Sequence, residues 1–127
     1  MLHIPDIQQV PLNPRPGYDA MIVRGQPKAA GRILSLSEDR RTARVIWRGT
    51  PGVYLFKPDP VVIDVAYIVH GQVVIRQAGQ PEMRLGPGSM IEFPRKEFEM
   101  EIVECFMKVS FLYHPDGLKL QAEPLNL

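Results

Sequence analysis

Hydrophobic and polar positions alternate over short stretches of this chain, and turn residues interrupt the alternation at close intervals. Runs rich in β-branched and aromatic residues cover 33–36, 42–47, 53–56 and 61–69, followed by 72–77, 82–85, 90–93, 98–103 and 106–113. Between them stand Gly49-Thr50-Pro51-Gly52, Lys57-Pro58-Asp59-Pro60, His70-Gly71, Gly79-Gln80-Pro81, Gly86-Pro87-Gly88 and Pro94-Arg95-Lys96. Short strands punctuated in this way predict an all-β sandwich or barrel. No window repeats apolar residues at i, i+3, i+4 and i+7, so no amphipathic helix is predicted. The first 31 residues differ: Pro5, Pro11, Pro14, Pro16 and Pro27, with Gly17, Gly25 and Gly31, forbid a regular helix. That segment nevertheless carries Ile4, Ile7, Val10, Leu12, Met21, Ile22 and Val23, too many apolar groups for a solvated linker. It is expected to be an extended arm packed on the body or on a partner subunit, with residues 32–127 forming the domain proper.

Composition narrows the class. Hydrophobic residues make up 45% and charged residues 23% of the 127, as in a folded globular domain, and the length suits one core. Fifteen Lys and Arg against fourteen Asp and Glu leave a net charge of +1 with no basic stripe, so a nucleic-acid partner is not expected. Asp64 breaks the longest apolar stretch far below the roughly 20 residues of a membrane span, so no membrane partner is expected either. The single cysteine, Cys105, cannot close an internal disulfide, which suits a cytoplasmic address. Within its apolar run it reads as a buried, inert thiol.

Closing many antiparallel strands into a double-sheet jelly roll removes exposed edges and encloses a ligand-sized interior. Trp47 with Thr50-Pro51-Gly52, the run Asp64-Val-Ala-Tyr-Ile-Val-His-Gly71, and Gly86-Pro87-Gly88 through Phe93-Pro94 resemble the cupin superfamily. They look most like its small single-domain branch related to (S)-ureidoglycine aminohydrolase, over about residues 44 to 112. The resemblance implies a cupin-type double-stranded β-helix, with Gly71 and Gly88 supplying the positive φ of tight turns. It also implies where a metal would sit. Asp64 falls at the acid position of the first motif, but the histidine positions fall near Lys57 and Asp59, and that of the second motif at Glu99. Cupin metal sites depend on imidazole nitrogens. Asp59, Asp64 and Glu99 as a carboxylate set for a divalent cation would be opposed by Lys57 beside them. No metal or other cofactor is therefore expected, and His3, His70 and His114 read as arm, hairpin and turn residues.

Alternation places Asp64 with Val62, Ala66 and Ile68 on the inward face of its strand. A carboxylate on an apolar face needs a cation or donors, and Lys108, where the resembling family carries a late lysine, is one candidate partner. Asp64, Glu99 and Lys108 are the candidate catalytic residues. Lys57, Asp59, Trp47, Tyr54, Arg44 and Glu92 are the candidate ligand-binding residues: the aromatics as walls, the charged groups as clamps. The favoured reading is a cupin that binds a small polar metabolite without a histidine-held metal. Two alternatives stand beside it: an amide or ureide hydrolase with Asp64 or Glu99 as base, and a structural cupin with a filled barrel. The apolar arm and the short chain predict a homodimer.

Overall fold

The structure is a computed structural model that describes residues 2–123 and Leu125. Its elements are β1 (Asn13–Pro14), β2 (Ile22–Arg24), β3 (Ala29–Leu36), β4 (Thr42–Gly49), β5 (Gly52–Phe56), β6 (Ile63–Arg76), β7 (Met83–Leu85), β8 (Met90–Glu92) and β9 (Phe98–Tyr113). Two 3-10 turns, Ile7–Gln9 and Pro16–Met21, lie in the arm. Among the described residues no helix is long and apolar enough to cross a membrane.

The nine strands form one curled antiparallel sheet, ordered β1-β3-β4-β9-β5-β2, with β6 beside β9 and flanked by β7 and β8. This is the jelly-roll fold expected of the strand pattern. Its organising strands are β6 and β9. Along β9, residues 98–102 pair with β5 and residues 106–113 pair with β4, while β6 runs along its other edge from Tyr113 to Glu99. The sequence predicts a hairpin at His70-Gly71 and a break after Val103. Both strands instead continue through a bend where their register shifts, because the local disruption of a β-bulge turns a strand without ending it. Gly71, at φ 92°, sits where a Cβ would come 2.2 Å from the Cys105 carbonyl oxygen, so the two backbones approach too closely for any side chain. Cys105 at this bend is exposed rather than buried, since the bend carries it away from both cores. Its carbonyl lies 3.0 Å from His70 Nδ1.

Alternation separates two apolar clusters. Inward residues Trp47, Tyr54, Ala66, Ile68, Ile75, Phe98, Met100, Ile102 and Phe106 line the barrel, and Ile68, Tyr54 and Phe106 are completely buried. Across the sheet, Ile46 and Met107 meet Val10 of the arm, with Ile4, Ile7, Leu12, Val69, Val109 and Leu125 around them. The arm thus packs on the body of its own chain. It is not extended throughout, because its prolines allow 3-10 turns where they forbid an α-helix.

Candidate functional site

Ala66 and Ile68 point into the barrel, and the same pleat turns Asp64 inward at the end where the segment after β5 and the segment after β8 meet the arm. The Phe93 amide donates to the Asp64 carbonyl oxygen at 2.9 Å, which fixes the ring of Phe93 next to the same space. On β9, Lys108 lies opposite Trp47 of β4 and Ile68 of β6, while Asp64 lies opposite Leu112. Lys108 therefore reaches along its strand toward the C-terminal end of β9. Its Nζ stands 3.6 Å from Asp64 Oδ2, donates to Ser110 Oγ, and lies over the Phe93 ring at 5.1 Å from the centroid. At 11% exposure the ammonium is compensated by a carboxylate, a hydroxyl and the negative face of a ring.

These groups border a cavity of about 290 Å³, close to the lower end of the range for small-molecule sites. Its walls are Trp47, Phe56, Phe93, Phe98 and Met100; Lys57, Pro58 and Asp59 stand along one side, and Tyr18 and Met21 come from the arm. Two polar atoms at this cavity are buried without a hydrogen-bond partner, Asp64 Oδ1 and Trp47 Nε1. The first accepts and the second donates. Burial pushes the Tyr18 phenol up, the Asp64 charge adds to the rise, and Arg15 opposes it. Tyr18 therefore stays a neutral hydroxyl at physiological pH.

The structure brings together Asp64, Lys108, Trp47, Lys57 and Asp59, and leaves the other sequence candidates elsewhere. Glu99 does not line the cavity: Phe98, Met100 and Ile102 point inward, so Glu99 points outward, toward Arg76 at 3.9 Å. Arg44 is likewise on the outer face and donates to Ser35 Oγ at 2.7 Å, since Ala43 and Trp47 hold the inward positions of β4. Glu92 is exposed because Ile91 is the inward residue of β8. Tyr54 is inward but lies behind the wall, stacked on Phe56 and edge-on to Trp47, and its hydroxyl has no partner. Asp59 faces His114, with Nε2 at 3.6 Å from its carboxylate.

This donor set does not fit a transition metal. No group of three His, Cys, Asp or Glu side chains converges among the described residues, and the cation nearest Asp64 is Lys108. Sequence reasoning missed Tyr18, Met21, Phe56, Phe93, Phe98 and Met100. For Tyr18 a signal existed, as it is the one aromatic residue of an otherwise aliphatic arm.

Comparison with known proteins agrees with the geometry at the level of class: a jelly-roll cupin. The family model of the EutQ-like cupin domain matches residues 36–114, and the chain belongs to that family. Similar solved structures include the putative ethanolamine utilization protein EutQ of Salmonella typhimurium, with a TM-score of 0.67 at 12% identity over 85% of this chain and 82% of that one. The Clostridium difficile EutQ protein has a TM-score of 0.61 at 14% identity, over 72% of this chain and 66% of that one. Ectoine synthase from P. lautus gives 0.61 at 14%, over 77% and 80%. At such identities the likeness shows the fold alone. No functionally curated protein matches the chain. The cupin resemblance holds, while none of these matches supports the aminohydrolase branch.

Proposed function

We propose that the protein binds a small metabolite with an apolar body and a polar head in the barrel cavity, anchored by Asp64 and Lys108 and without a histidine-held metal. One observation carries this reading: an unpartnered acceptor, Asp64 Oδ1, and an unpartnered donor, Trp47 Nε1, are buried at one cavity beside a lysine. Each unsatisfied buried group costs about 1–3 kcal/mol, which a ligand offering the complementary donor and acceptor recovers. Because Asp64 and Lys108 compensate each other, a purely anionic or purely cationic head meets a like charge. A zwitterionic or amide-bearing head meets a partner at both ends. The space between the aromatic walls supports binding over a filled, purely structural barrel.

The experiment is a thermal-shift and Trp47-fluorescence screen of zwitterionic and amide-bearing metabolites on wild type and Asp64→Asn. Binding to wild type that weakens more than tenfold in the variant, about 1.4 kcal/mol, supports the reading. Absence of any binder, or a binder indifferent to Asp64, overturns it.

We also propose that the protein is a homodimer. On the outer face of β6, β8 and β9, Tyr67 lies beside Met90 and Val109, and Val65 beside Phe111. Met90 is 72% and Phe111 51% exposed. The arm packs around Val69 and Val109 on the same face but not around Tyr67, Met90 or Phe111, leaving an apolar surface that a second copy can cover with its own.

A further inference from the structure

We infer that the 3-10 turn Pro16–Met21 is a working part of the ligand site: Tyr18 contacts the bound ligand, and the turn lifts from the barrel to admit it. This rests on the cavity being a ligand site. Tyr18 and Met21 form the arm's side of the cavity, and Tyr18 narrows it by edge contacts with Trp47 at 5.6 Å, Phe56 at 6.2 Å and Tyr54 at 6.4 Å. Tyr18 shares the cavity with Asp64, whose charge acts on its phenol, so a ligand that satisfies Asp64 Oδ1 has a further polar side chain within the same lining.

The attachment of the turn makes it a gate rather than a fixed wall. None of its residues is fully buried, Tyr18 being half-buried, and its Tyr18 amide bonds only to the Arg15 carbonyl at the start of the turn, at 3.2 Å. At one end Arg15 donates from its amide to Ala29, next to the two-residue pairing of β1 with β3. At the other, β2 pairs with β5 through Ile22 and Arg24 across an irregular register. Between these anchors the turn rests on the barrel chiefly through side chains over the cavity. One clasp holds the anchor at Arg15: the Glu123 carboxylate accepts from Arg15 and Asn13 of the arm and from the Ile33 amide of β3 at 3.0 Å. Glu123 does not line the cavity, so loosening it moves the gate without touching the ligand contacts.

Trp47 is the only tryptophan and lies behind the turn, so its quenching by acrylamide reads the gate without any knowledge of the ligand. Glu123→Ala is expected to raise the quenching constant at least twofold while circular dichroism stays that of wild type. Tyr18→Ala is expected to do the same, and Tyr18→Phe, which keeps the ring, is expected to quench like wild type. In unaltered protein, hydrogen exchange at the Tyr18 and Ile22 amides is expected to run at least tenfold faster than at β9. A folded Glu123→Ala variant with unchanged quenching, or turn amides that exchange together with β9, overturns the inference. Should the metabolite screen return no binder while quenching responds as expected, the gate stands and the ligand reading fails.

Discussion

Asp64 and Lys108 hold each other in a place where either alone would be an uncompensated charge. Asp64 remains partly solvated, at 29% exposure, which screens the pair and limits its worth. Asp64→Asn is expected to destabilise the fold by about 1–2 kcal/mol in urea, and Lys108→Gln by a similar amount. The double variant is expected to lose about 1 kcal/mol less than the sum, the coupling expected of a direct pair. Additive losses would separate the two residues. Asp64 was legible in the sequence because strand alternation is a local property: once Ala66 and Ile68 are inside, Asp64 follows, whereas Lys108 was reached through the family resemblance. Glu99 shows where legibility ended. Counting along a family motif put it at a ligand position, whereas the pleat of β9 puts Phe98 and Met100 inside and Glu99 out. Tyr18 stood out only as the arm's one aromatic residue; its place at the cavity depends on the path of the arm over the barrel, which no pattern within the arm sets.

Between elements, the glycine at position 71 decides whether β6 and β9 can cross the bend as neighbours. Gly71→Ala combines a positive φ with a 2.2 Å approach to the Cys105 carbonyl, so it is expected to destabilise by about 3 kcal/mol or more. A midpoint in urea within error of wild type would refute that. The strand runs themselves were readable, but their joining was not: a glycine after a histidine looks like a hairpin, and Glu104-Cys105 looks like a break. Only pairing across the sheet tells a bulge from a turn. The arm's clasp has its own pH signature. Burial works against the charged form of Glu123, yet the Ile33 amide, Arg15 and Asn13 outweigh it and hold the carboxyl below its ordinary 4.5. A depressed folded value means that the stabilisation is present above 4.5 and lost as the pH falls through the folded value. Glu101, lowered by its hydrogen bond from Arg76, weakens in the same direction. Between about pH 6 and pH 3, the melting temperature of Glu123→Ala is therefore expected to fall less than that of wild type. Parallel curves would remove Glu123 from the acid response.

At the scale of the whole molecule, the uncovered part of the outer face sets the expected assembly. Light scattering is expected to give twice the 14.4 kDa of one chain, and Phe111→Asp with Met90→Asp is expected to return the mass to one chain without loss of strand content. A single-chain mass for wild type at micromolar concentration would exclude the dimer. The architecture also bears on how the chain is made. β9 is the shared neighbour of β4, β5 and β6, and it spans Phe98–Tyr113, late in the sequence. A nascent chain leaving the ribosome therefore carries these strands with open edges until that segment emerges, and the barrel closes in one late step. Such long-range pairing is slow, on the order of milliseconds to seconds, and edges left waiting are prone to stick to one another. The nascent chain's period of greatest exposure thus precedes the synthesis of β9, when a holding chaperone would protect it most.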